Sequence, residues 1–342
     1  MTALRMPARP GQDDASMRPV PWRRMAGVTW RQHRTALAGV AVLLGALAVY
    51  EWLTGESLQH AWAAVIACHP ASSPACQNLV MAFPENLLSL GSLLQVVPAL
   101  TGAFAGAPVL ARELETGTFR FAWTQGFDRW RWALAKLAAL AVVLAAATFA
   151  FSVLVSWCYQ PFLGASNQDL GIYGNSPLVT VFSLREVAFP AWTLAVFAIG
   201  VLAGTLIRRV VPAIAATLAV YGGLALATTL WLREHYMTPL LTSRLDVPDS
   251  AWIVSQWYTK GGKFAFGAHG PQIVSAVRKL CSGGTSGLSP AQCLTQHGYT
   301  QWASYQPGSR FWPFQLIEGG WLLALSVLLI ATTVWLVRRR AA

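Results

Sequence analysis

Charge is what this chain has least of. Only 11% of its 342 residues are Asp, Glu, Lys or Arg, where a soluble protein of this length carries roughly a quarter. With 55% apolar residues and a mean hydropathy of +0.45, that shortage excludes an ordinary soluble domain and points to a membrane protein. Catalytic motifs are also missing. There is no Gly-x-x-x-x-Gly-Lys-Ser/Thr loop, and "GGKFAFG" at 261–267 lacks the hydroxyl that should follow Lys263. Neither Gly-x-Ser-x-Gly nor His-Glu-x-x-His occurs. No catalytic residue is assigned, and no cofactor is expected in this chain. The apolar runs hold almost no ionisable group at midplane depth, which argues against a proton-coupled carrier. Lysine is scarce, since 21 of the 25 basic residues are Arg; no function is attached to that bias. No internal repeat is visible.

What the chain does have is six apolar stretches, at roughly 35–53, 87–110, 137–159, 187–207, 210–232 and 319–337. Each is long enough at ~1.5 Å per residue to cross a ~30 Å hydrocarbon core. The first starts at Thr35, is too long for the apolar region of a signal peptide, and runs into Tyr50-Glu51-Trp52 instead of a small-residue cleavage site. It reads as a true span. Seventeen Lys and Arg residues fall in residues 1–34, 111–136, 208–209 and the C-terminal tail, against eight on the other side. This bias places both termini of a multi-pass membrane protein in the cytoplasm. The net charge of +11 is therefore mostly a topology signal, and nucleic acid is not an expected partner.

The soluble parts divide accordingly. Residues 1–20 are rich in Pro, Arg and Asp and read as disordered. Residues 21–34 read as an interfacial amphipathic helix among lipid headgroups, so 1–34 form a cytoplasmic tail with that helix. Spans one to five occupy 35–232. Residues 233–318, too long for a simple connection, are expected to fold as a small α+β extracytoplasmic insertion, and 319–342 hold the last span and a basic tail. Within the insertion, "AWIVSQWYTKGGKFAF" alternates around Gly261-Gly262 like a hairpin. "GPQIVSAVRKLC" and "SPAQCLTQHG" read as short helices. In the first outer loop, "SLQHAWAAVIAC" has a helical pattern. Two cysteine pairs, Cys68 with Cys76 and Cys281 with Cys293, fall on the outer side and suggest two disulfides, although four cysteines allow three pairings. Each short loop so closed contributes about 2–3 kcal/mol. His60, Cys68, His69 and Cys76 match no zinc spacing. Gln95, the one strongly polar group deep in the second stretch, is a candidate for a translocation path or for an interhelical hydrogen bond. Gly102-x-x-x-Gly106 and Gly200-x-x-x-Gly204 permit close helix approach, more often within a subunit than across a dimer.

The most specific passage is the cytoplasmic loop 111–136, which includes "ELETGTFRFAWTQGFDRWRWALAK". Gly117 between two β-branched threonines breaks a helix leaving the membrane. The aromatic residues that follow, interleaved with Arg120, Arg129 and Arg131, suit a protein interface; the bland alternative is a headgroup anchor. Glu113, Glu115, Gly117, Thr118, Arg129 and Lys136 stand in the pattern Glu-x-Glu-x-Gly-Thr, arginine, lysine. In this the chain resembles the permease subunits of type-2 ATP-binding-cassette (ABC-2) exporters. "GTLIRRVVPA" (204–213), "YMTPL" (236–240) and "YQPGSRFWPFQLIE" (305–318) resemble a subgroup typical of GC-rich, actinobacterial-like genomes.

The resemblance implies an all-α permease of six transmembrane helices that carries the insertion between helices five and six. It implies that ATP and Mg bind a separate cytoplasmic ATPase, which grips the 111–136 loop at residues such as Trp123. It also implies a second permease subunit, identical or not. Candidate partners for Glu113 and Glu115 are Arg112, Arg120 or a basic site on the ATPase. An uncharged lining suits amphipathic or lipid-like cargo. A different class of reading is a membrane sensor or scaffold that binds a ligand through its Trp-rich ectodomain.

Overall fold

The computed structural model describes residues 22–69, 73–76, 78–79, 94–116, 129–159, 179, 181–243, 247, 250–281 and 290–339. Helix α1 runs unbroken over Trp22–Ala67, 46 residues. The sequence reads here as three pieces, an interfacial helix, a span and a short outer helix. No proline separates them, and each isolated glycine costs a helix only about 1 kcal/mol, so nothing enforces a break. At 1.5 Å per residue α1 is about 69 Å long, more than twice the hydrocarbon thickness.

Four further long helices follow: α2 (Val97–Thr116), α3 (Arg129–Tyr159), α4 (Ala188–Ile207) and α5 (Val210–Ala227). A π-helical turn (Thr228–Leu232) and a 3-10 turn (Arg233–His235) prolong α5. Among the described residues, five helical segments are long and apolar enough to cross a membrane: Arg34–Val65, Ala133–Tyr159, Ala188–Ile207, Val210–His235 and Gly308–Arg339. The expected span at 87–110 lies partly outside the described residues, and its described part opens α2.

Helix α4 is the hub, packed by α2, α3, α5 and the last helix. The α2–α4 contact explains both Gly-x-x-x-Gly motifs, which face each other within one chain. A Cβ on Gly106 would lie 2.5 Å from the Phe197 carbonyl oxygen, and one on Gly200 would lie 2.8 Å from the Ala107 nitrogen. Helices this close gain dispersion and exclude lipid, the means by which small residues drive packing in a bilayer. Gly55 plays the same part between α1 and α3, where a Cβ would lie 2.6 Å from Cys158 Sγ.

After α5 the chain builds a four-stranded antiparallel sheet in the order β1-β4-β2-β3. The strands are β1 (Leu240–Thr242), β2 (Trp252–Lys260), β3 (Lys263–Gly267) and β4 (Tyr299–Gln306). Gly261 and Gly262 turn the β2–β3 hairpin with φ of 56° and 77°, the two positive values that a type I′ turn needs. Helices α6 (Pro271–Cys281) and α7 (Pro290–Gln296) cover one face. There Tyr258, Phe266 and Leu294 are buried against Ile273, Val277 and Leu280. Cys281 is bonded to Cys293 and joins these helices, Cys68 is bonded to Cys76, and Cys158 is a buried thiol. Helix α8 (Phe311–Arg339) returns from the sheet and starts eight residues before the apolar stretch at 319.

Candidate functional site

Two buried polar clusters hold the helices together, one at each end. At the arginine-rich end, α2 brings Glu113 and Glu115 out of its last turns, and α3 brings Lys136 in from the other side of segment 117–128. Lys136 is 1% exposed. Its Nζ donates to Glu113 Oε1 at 2.6 Å and to the Val109 carbonyl at 3.2 Å. A buried ammonium is tolerable only with such partners, since desolvation otherwise outweighs any gain. The second carboxylate turns the other way: Glu115 Oε2 accepts the Val210 backbone N–H at 3.4 Å. Val210 is the first residue of α5, and Arg209 before it offers no side-chain cap. A carboxylate there satisfies an orphan donor and meets the positive end of the helix dipole. The α4–α5 corner that it grips is sharp, with Arg208 left-handed at φ 59°. Two residues spaced i, i+2 thus tie α2 to both α3 and α5.

Sequence reasoning placed the partners of these carboxylates at Arg112, Arg120 or another protein. Lys136 and a backbone amide take that role within the chain. Arg112 is exposed. Glu113 Oε2 is buried and has no hydrogen-bond partner among the described residues. Gly117, Thr118 and Trp123, like Arg120, lie outside the described residues. Arg129 is the first residue of α3. Gln95 sits in a turn just before α2 with its side chain exposed, and its carbonyl accepts the Tyr221 hydroxyl at 2.6 Å. It is not brought near Lys136 or the carboxylates.

The opposite cluster centres on Glu318 of α8, which is fully buried, and Arg233, 5% exposed. Arg233 donates through Nε to Oε2 at 3.0 Å and through Nη2 to Oε1 at 2.9 Å, the bidentate geometry that suits guanidinium and carboxylate. Trp192 Nε1 donates to Oε1 at 2.9 Å and the Tyr236 hydroxyl to Oε2 at 3.3 Å. Burial, with Glu318 beside it, raises the Tyr236 hydroxyl above the usual tyrosine range, so it remains a donor. Arg233 also reaches Ser183 Oγ at 2.7 Å and lies over the Phe182 ring at 4.5 Å. One turn earlier on α8, Gln315 accepts from Ala188 N at 2.8 Å and donates to the Phe182 carbonyl at 2.9 Å. Gln306 Nε2 and Arg310 donate to the Met237 and Thr238 carbonyls at 2.6 and 2.7 Å. The two landmarks 236–240 and 305–318, far apart in sequence, are therefore one structural joint. Sequence reading missed Arg233 and Glu318 as a pair. The available clue was two opposite charges, each just outside an apolar stretch.

A family model described as ABC-2 membrane transporter related matches residues 38–233, more than half of the chain. The chain belongs to this family. No curated protein and no solved structure matches it. As an ABC-2-related protein it is a multi-pass membrane component and not the catalytic one, and the family implies an ABC ATPase partner in general. The matched region holds Glu113, Glu115, Lys136 and Val210, the whole cluster at the arginine-rich end. The sheet, α8 and Glu318 lie beyond it, so the opposite cluster joins the matched region at Arg233 to the rest of the chain.

Proposed function

We propose that this chain is the permease subunit of an ATP-driven exporter, with six transmembrane helices, both termini in the cytoplasm of a bacterial cell, and the sheet outside. The bipartite tie at Glu113, Glu115 and Lys136 carries the reading. A loop that transmits force needs rigid ends. Here the two ends of 117–128 are anchored to each other and, through Glu115, to the α4–α5 corner. A push on the loop would then move α2, α3 and α5 together instead of bending one helix. The aromatic and arginine content of 117–132 suits a groove on a soluble motor, and two permeases with two ATPases would complete the transporter. The largely apolar helices suit an amphipathic or lipid-like cargo.

The test is affinity purification of the tagged chain from native membranes. A protein bearing a Gly-x-x-x-x-Gly-Lys-Ser/Thr motif is expected in near-stoichiometric amount. Trp123→Ala or Gly117→Val is expected to leave the membrane level unchanged while cutting ATPase recovery severalfold and abolishing export. Truncating one buried anchor costs about 2 kcal/mol or more at an interface. Full ATPase recovery and export in both variants would refute the coupling role of the loop.

A further inference from the structure

A groove of about 510 Å³ opens on the outside of the helix bundle at the arginine-rich end, between the start of α3 and the end of α8. Trp130 and Leu134 form one wall, and Val327, Ala331, Trp335 and Arg338 form the other. Its lining is almost entirely apolar, and its floor is closed by Ile330 and Val334 packed on the core around Leu137 and Val109. Val327, Trp130 and Trp335 are 68%, 40% and 49% exposed, so the groove faces whatever surrounds the bundle.

Three features agree on the occupant. From Val327 to Arg338 the groove follows α8 for about 16 Å, half of a ~30 Å hydrocarbon core and so the depth of one leaflet. The two indoles stand near its arginine end, where tryptophan is enriched at the level of lipid headgroups. Among the described residues, charge there has one sign. Arg338 lines the groove, Arg339 stacks on Trp335 at 4.5 Å, and Arg131 adjoins Trp130. Neither α3 nor α8 beyond Glu318 carries an acidic residue. We propose that this groove is a binding site for one anionic phospholipid, with its acyl chain along Leu134, Ala331 and Val327 and its phosphate at Arg338. A zwitterionic headgroup would bring a second cation to a groove whose described lining holds Arg338 and no carboxylate, so the site selects for net negative charge. The site also abuts the helix that carries Lys136, so bound lipid would brace α3 close to the loop ends. The proposal needs only that the chain sits in a bilayer, so it can fail without affecting the transport reading, and the reverse also holds.

The test is native mass spectrometry of the full-length chain, delipidated in detergent and then offered dioleoyl phosphatidylglycerol or dioleoyl phosphatidylcholine at equal concentration. The wild-type chain is expected to retain one phosphatidylglycerol, preferred about fivefold over phosphatidylcholine, the preference one arginine near an anionic headgroup supplies. Arg338→Gln is expected to keep a lipid adduct and lose the preference. Ala331→Phe, which fills the groove from an exposed position, is expected to lose the adduct; Val327→Phe replaces it should its elution profile show misfolding. Equal retention of the two lipids by the wild type would overturn the proposal. So would an unchanged adduct in the groove-filled variant, or a lipid-free dimer that the same substitution dissociates, since a second copy would then be the occupant.

Discussion

Replacing Glu318 with leucine is expected to lower the stability of the detergent-solubilised protein by about 3–5 kcal/mol, the usual loss when one partner of a buried ion pair is removed. The carboxylate is fully buried and takes two hydrogen bonds from Arg233, one from Trp192 and one from Tyr236. Without it, a guanidinium 5% exposed keeps, among the described residues, Ser183 and the face of Phe182, and two further donors lose their acceptor. The double variant Arg233→Met/Glu318→Leu removes both charges and is expected to recover much of the loss, because well-packed apolar replacements of buried pairs are often neutral or better. Thermal unfolding followed by size-exclusion chromatography separates the outcomes. A single variant as stable as wild type would show that the network contributes nothing to the joint between α8 and the rest of the fold.

The second large effect is expected at the other end. Glu113→Gln leaves the Lys136 ammonium, 1% exposed, facing a neutral amide and the Val109 carbonyl, and a loss of about 3 kcal/mol or more is expected. Lys136→Met leaves the Glu113 carboxylate, whose side chain is 18% exposed. That side chain as a whole is less enclosed than Lys136, although its Oε2 is buried, so a smaller loss is expected. The order, Glu113→Gln worse than Lys136→Met, follows from burial alone, and a thermal-shift comparison reads it. Equal or reversed losses would contradict the assignment of the buried charge to the lysine. Glu115→Ala is milder still, because its contact is exposed and worth about as much as one helix cap.

Five of the apolar stretches, the hairpin turn and the two short helices of residues 233–318 were legible because each rests on local rules. These rules are apolar length, two adjacent glycines free to take positive φ, and a proline near each helix start. The extent of α1 was not legible, because its basic, apolar and mixed segments differ in composition while sharing helical propensity. Composition marks where a helix meets lipid, not where it ends. Strands β1 and β4 escaped for a different reason. Leu240–Thr242 is too short to carry a pattern, and its pairing with Ala303–Tyr305 depends on contacts about 60 residues away. An even longer separation, 85 positions, hid Arg233–Glu318. At the arginine-rich end the right residues were visible, since Glu113, Glu115 and Lys136 all stand in the quoted pattern. Their partners were not, because Lys136 lies 23 positions from Glu113 and Val210 lies 95 from Glu115.

The central claim is that residues 117–128 meet a motor protein from the arginine-rich side. The most direct measurement places a photo-reactive amino acid at position 123 of the full-length chain, irradiates intact native membranes and identifies the adducts by mass spectrometry. The account predicts a major adduct to a protein carrying a Gly-x-x-x-x-Gly-Lys-Ser/Thr motif, lost when Gly117→Val is introduced. Adducts to phospholipid alone, with that ATPase present in the same membranes, would contradict it.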